Sequence, residues 1–236
     1  MLLVDYDTDE VLVTGSFTLK LLADYHSEDM EHMGLITGQD MTLDLNGKSL
    51  IMENRAAIDI EGASLTVTGN GIVGIPMYLS VDYSEESGGS LTIENGRFYH
   101  PIFGTEDCTL TIKDGVFAPM EEYEDESMGG ISAEKGAKVK IYGGEFFGGK
   151  NNVMGDFKPY PSLENEDGTL EDILAEGKAI VKADDPSVFV DMSQSETLER
   201  VKVIDHTHSL NAEGQCACGY GCRHKDGNSR EAGYFQ

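Results

Sequence analysis

The chain has 236 residues and carries 43 acidic against 17 basic side chains, a formal net charge of −26. A field of that sign repels nucleic-acid phosphates and anionic membrane surfaces, and it disfavours acidic polysaccharides as partners. Hydrophobic residues at 39%, 28 glycines and no tryptophan fit a turn-rich β-protein better than a helical bundle, and no stretch approaches the ~20 apolar residues of a membrane span.

The N-terminal run Met1-Leu2-Leu3-Val4-Asp5 lacks a basic region and is too short for a signal peptide. Read literally it predicts a cytoplasmic protein; we expect instead a piece of a longer chain or one whose signal has been removed. Val11, Val13, Phe17, Leu19 and Leu21 alternate around a break at Gly15-Ser16, which predicts two short strands. Residues 25–34, with His26, Glu28, Asp29, Glu31 and His32, are expected to form a helical turn or a capping loop. Leu43 and Leu45 alternate with polar residues, and Asn46-Gly47 favours positive φ and a sharp turn. Ala57-Ile58-Asp59-Ile60 gives another short strand.

A phrase then recurs. Leu91-Thr92-Ile93-Glu94-Asn95-Gly96-Arg97-Phe98 returns as Leu110-Thr111-Ile112-Lys113-Asp114-Gly115-Val116-Phe117 and as Val139-Lys140-Ile141-Tyr142-Gly143-Gly144-Glu145-Phe146. A looser copy runs from Leu65 to Ile72, and successive copies begin 26, 19 and 29 positions apart. Each copy reads as strand, glycine turn and re-entry into the core. Repeats of this kind stack, because no single unit can bury its apolar face alone. The period of two points the Leu and Ile inward and the Thr or Lys between them outward. Phe98, Phe117 and Phe146 are expected to stack as an internal ladder, with Ile72 in the equivalent place of the looser copy.

Longer excursions interrupt the repeats at Met77–Gly89, with Asp82, Glu85 and Glu86, and at Pro119–Gly130, with Glu121, Glu122, Glu124, Asp125 and Glu126. Solvated loops account for both; calcium is the sharper expectation, since hard cations take several carboxylate oxygens. The stack is expected to end near Gly148–Asn152. Thr169 to Gly177 reads as one short helix with Thr169 as N-cap, Asp172 in the capping box and Gly177 past the C-terminus. Strands are expected at Ala179–Lys182, Ser187–Val190 and Val201–Ile204, covering the last repeat.

One chemical constellation stands out. Residues 206–224 hold His206, His208, His224, Cys216, Cys218 and Cys222. Structural zinc takes four thiolate or imidazole ligands in tetrahedral geometry. The expected set is His208, Cys216, Cys218 and either Cys222 or His224, with a disulfide or an unstructured tail as the alternatives. Four protein ligands leave no open position, so such a zinc is structural. Cys108 precedes a core strand and reads as a small buried hydrophobe.

Catalytic signatures are sparse. Gly-His-Gly does not occur, nor do the zincin, phosphate-loop or serine-elbow patterns. Arg97 and His100 fall in one turn region, with Glu94 and Lys113 on neighbouring outer positions, as ordinary surface decoration. No catalytic residue is assigned.

Leu43-Asp44-Leu45-Asn46-Gly47-Lys48, the repeated Leu-Thr-Ile-x-x-Gly-x-Phe phrase, Leu170 to Gly177 and the His206-Thr207-His208 and Cys-rich tail together resemble the right-handed β-helix repeat surface proteins of gut Gram-positive bacteria. The likeness spans about 41–224. In that group the tail usually reads Gly-x-Cys-x-x-Cys-Gly and then Cys-x-His; here Cys216-Ala217-Cys218 is one residue shorter, which bears on Cys216 more than on Cys218, Cys222 and His224. The resemblance implies a secreted or wall-attached setting.

We therefore expect an all-β protein: a right-handed parallel β-helix over 1–155, with an N-terminal cap over about 1–40, then a small α+β cap over 156–205 and a His/Cys zinc knuckle over 206–236. The expected function is a non-catalytic surface or adhesive module presenting loops to a glycan or protein. The alternatives are a carbohydrate-active enzyme and a structural spacer in a longer wall protein. Nucleic acid and membrane insertion are not expected.

Overall fold

The computed structural model describes residues 4–5, 10–11, 16–27, 33–37, 40–52, 57–82, 87–119, 130–153, 156–207, 209, 211–212 and 216. The fold is all-β, built from mostly parallel sheets. The first sheet holds six parallel strands: Phe17–Lys20, Met41–Asp44, Ser64–Thr68, Ser90–Ile93, Thr109–Ile112 and Lys138–Ile141. The second holds Tyr25–Ser27, Ser49–Met52, Ile72–Gly74, Arg97–Phe98, Val116–Phe117 and Gly144–Phe146, again parallel. A third sheet takes Met33–Thr37, Ala57–Glu61 and Met77–Asp82. A fourth takes Ile102–Gly104, Ile131–Ala133 and Leu163–Asn165. The chain visits the first sheet, the second, then the third or fourth, and returns to the first.

Register explains the recurring phrase. Leu65, Leu91, Leu110 and Val139 are direct partners on successive strands, as are Val67, Ile93, Ile112 and Ile141. All eight are at most 4% exposed, so the inward face of every strand enters one core. Each such side chain contributes roughly 1.5–3 kcal/mol by leaving water. A slip of one residue would turn both columns to solvent, so the register is strongly specified.

The phenylalanine ladder is present. Phe98 and Phe117 stack with centroids 5.1 Å apart, and Phe117 and Phe146 with centroids 5.0 Å apart. The glycine before each ring is required: Gly115 and Gly144 sit at φ +141° and +116°. A Cβ on Gly144 would meet Phe146 Cζ at 2.9 Å and the Gly115 carbonyl at 3.1 Å.

Several expectations are corrected. Val73, not Ile72, pairs with Phe98 and is buried, because four residues, Thr68-Gly69-Asn70-Gly71, separate Val67 from Ile72 where three, Glu94-Asn95-Gly96, separate Ile93 from Arg97. Residues 25–27 and 33–37 are strands rather than a helical turn, held by parallel pairing to the next strands. Met77–Asp82 is likewise a strand of the third sheet, so the excursion begins later than expected. The helix is a single turn, Leu170–Ile173; Leu174 is already extended, because it bridges Ile141 and so extends the first sheet. Ser187–Val190 makes only an isolated bridge, between Phe189 and Val181.

The C-terminal end closes the second sheet by reversal. Val201–Asp205 pairs antiparallel with Gly144–Phe146, and Lys178–Lys182 pairs antiparallel with Val201–Asp205. Glu196–Thr197 does the same for the fourth sheet against Leu163–Asn165. Asp172 fixes the helical turn, accepting hydrogen bonds from the Thr169 backbone N–H at 2.9 Å and its hydroxyl at 3.3 Å.

Candidate functional site

His206 follows directly on the strand Val201–Asp205, whose two flanking partners hold it in place. Its backbone N–H donates to the Gly177 carbonyl at 2.9 Å, where Gly177 takes φ +71°. The imidazole packs against Phe189, with ring centroids 4.8 Å apart. Its Nε2 lies 3.3 Å from Cys216 Sγ. Cys216 is 7% exposed and belongs to the apolar core. The structure therefore docks part of the tail on the C-terminal strands, through one imidazole and one thiol. Beside the pair is a groove of about 660 Å³ lined by Lys140, Glu171, Glu176, Lys178, Met192 and His206.

Of the expected zinc ligands, Cys216 is placed here; His208, Cys218, Cys222 and His224 lie outside the described residues. Among the described residues, no three His, Cys, Asp or Glu side chains converge as a metal site. The histidine that meets Cys216 is His206, a candidate outside the expected ligand set. The available signal was its position at the end of a strand, where the sheet fixes a side chain before the loop begins. The acidic residues considered for calcium, Glu85, Glu86 and Glu121 to Glu126, lie outside the described residues, as does the side chain of Asp82.

The outer face of the first sheet is a hydroxyl surface. Thr18, Thr42, Thr66, Thr92 and Thr111 are direct neighbours on consecutive strands, and Lys140 ends the row. Parallel strands set such neighbours ~4.8 Å apart. Ser64, Ser90 and Thr109 form a second row beside them. Ser16, Thr18, Asp40, Thr42, Ser64 and Thr66 line a shallow depression of about 340 Å³ at one end. At the other end Tyr142 is 41% exposed and carries the Lys113 ammonium 5.0 Å above its ring. The Lys140 ammonium donates to the Asp172 and Leu174 carbonyls at the end of the helical turn.

The fourth sheet presents carboxylates. Ser132 donates its hydroxyl to Glu164 Oε2 at 2.8 Å, and Glu166 accepts the Lys135 backbone N–H at 3.2 Å. Partial burial, then the charges of Glu166 and Glu164, raise the Glu134 carboxyl above its ordinary range. Tyr160 stacks edge-on against Phe103 at 6.3 Å; its hydroxyl is buried and has no hydrogen-bond partner among the described residues. Burial, then Glu164 and Glu134, push that hydroxyl well above its ordinary pKa. Arg97 lies over the Tyr99 ring at 5.6 Å, and burial lowers the pKa of neighbouring His100.

No protein-family model, no curated protein and no solved structure matches the chain.

Proposed function

We propose that the chain is a non-catalytic module of a secreted or wall-attached protein, and that its first sheet presents a hydroxyl face to an uncharged glycan. The parallel sheets are, in this reading, the faces of a right-handed β-helix, closed by the C-terminal strands and by a structural zinc on the His/Cys tail. The observation that carries the reading is the in-register row Thr18, Thr42, Thr66, Thr92 and Thr111. Regularly spaced hydroxyls donate and accept, and so match a polymer of hydroxyls. Exposed Tyr142 offers a ring at the end of the row for sugar stacking. The net charge of −26 favours neutral over anionic chains.

The test is co-sedimentation with insoluble neutral polysaccharides. Retention should fall at least ~10-fold when Thr66 and Thr92 are both changed to Lys, and should be unaffected by Glu196→Lys on the fourth sheet. No retention on any neutral glycan, or retention indifferent to the threonine changes, would sink the reading.

A carbohydrate-active enzyme is the second reading, and Glu134 favours it. A carboxyl whose pKa is raised beside further carboxylates is the usual arrangement of a general acid. Reducing-end release from a glycan panel, abolished by Glu134→Gln, would establish it; no release from any member would remove it.

A further inference from the structure

We propose that His206, rather than His208, is the imidazole ligand that shares the tail zinc with Cys216, so that the metal staples the tail to the C-terminal strands. The inference rests on the reading that the tail binds zinc. Zinc holds imidazole nitrogen at ~2.0–2.1 Å and thiolate sulfur at ~2.3 Å, so at the tetrahedral angle the two donor atoms lie ~3.5 Å apart. His206 Nε2 and Cys216 Sγ are 3.3 Å apart, close to that edge. Both groups are held in place before any metal arrives. His206 is fixed through its backbone bond to Gly177 and its packing on Phe189, and Cys216 through burial in the core. A ligand pair positioned by the fold loses little freedom on binding. The remaining candidates, Cys218, Cys222 and His224, are those the sequence offers and lie outside the described residues.

The consequence is mechanical. Among the described residues, the strand Val201–Asp205 is what links Gly144–Phe146 to Lys178–Lys182 within the second sheet. A metal at its end would tie the tail to that strand and, through Cys216, to the core. Chelation would then loosen the end of the sheet as well as the tail.

Zinc content and the cobalt(II) spectrum are measured on the reduced full chain, alongside His206→Ala, His208→Ala and His206→Cys. The inference expects equimolar zinc in the wild type and in His208→Ala, and at least ~10-fold weaker retention against a chelator in His206→Ala. His206→Cys should keep the metal and strengthen the sulfur-to-cobalt charge-transfer band, a result that loss of folding cannot imitate. Zinc held by His206→Ala as tightly as by the wild type overturns the assignment of His206 and leaves zinc in the tail standing. A wild type without zinc overturns the underlying reading, and the inference with it.

Discussion

At the scale of single residues, the core is organised by a few side chains whose surroundings leave little choice. Phe117 lies between Phe98 and Phe146, stacked on both and fully buried. Phe117→Ala removes two aromatic contacts and opens a cavity with rigid walls, so a loss of ~3–5 kcal/mol is expected by urea denaturation. Glu134 provides a pH-dependent test. Its folded pKa is raised, so its protonated form is favoured in the folded state. Its contribution is therefore fully present below the unfolded value near 4.5 and is lost as pH rises through the raised folded value. Glu134→Gln should accordingly gain stability over the wild type as pH is raised from 4 to 7, and a constant difference across that window would refute the assigned cause. The phenylalanine column and the buried Cys108 were legible in the sequence, because an alternating strand commits each position to one face. The burial of the Tyr160 hydroxyl without a partner among the described residues was not, since it depends on the hairpin Gly149–Val153 with Asp156–Tyr160 leading into the fourth sheet.

At the scale of elements, repeat spacing revealed the strands and concealed the turns between them. Met41 to Leu50, Leu65 to Val73 and Leu91 to Phe98 span nine, eight and seven steps, yet each pair joins the same two inward columns. Turn residues such as Asn46 and Gly47, at φ 52° and 72°, absorb the difference outside the core. A fixed eight-residue phrase therefore misplaces the partner in the looser copy by one. The helix fell short of its pattern for a related reason: pairing of Leu174 with Ile141 extends the first sheet, and outweighs the weak helical preference of a single turn. The antiparallel strand Val201–Asp205 covers the edge left by Gly144–Phe146. Truncation after Arg200 removes that cover, and the chain should self-associate in sedimentation velocity where the full chain does not. A monomeric truncated species would show that the edge needs no cover.

At the scale of the whole molecule, charge and connectivity dominate. A net charge of −26 leaves a large excess of mutually repelling carboxylates, so added salt at low ionic strength should raise the midpoint of thermal unfolding. A midpoint falling with salt would mean that specific ion pairs such as Lys178–Asp205 and Lys20–Asp44 outweigh the general repulsion. The sequence alone determined the all-β class, the parallel repeat and the inward residues of its strands, because alternation and glycine placement act over a few residues at a time. Only the tertiary structure decided that Val73 rather than Ile72 enters the core, that the second sheet closes by reversal, and that His206 meets Cys216. Each of those depends on partners brought together by turns of variable length, and no local pattern encodes the sum of those lengths.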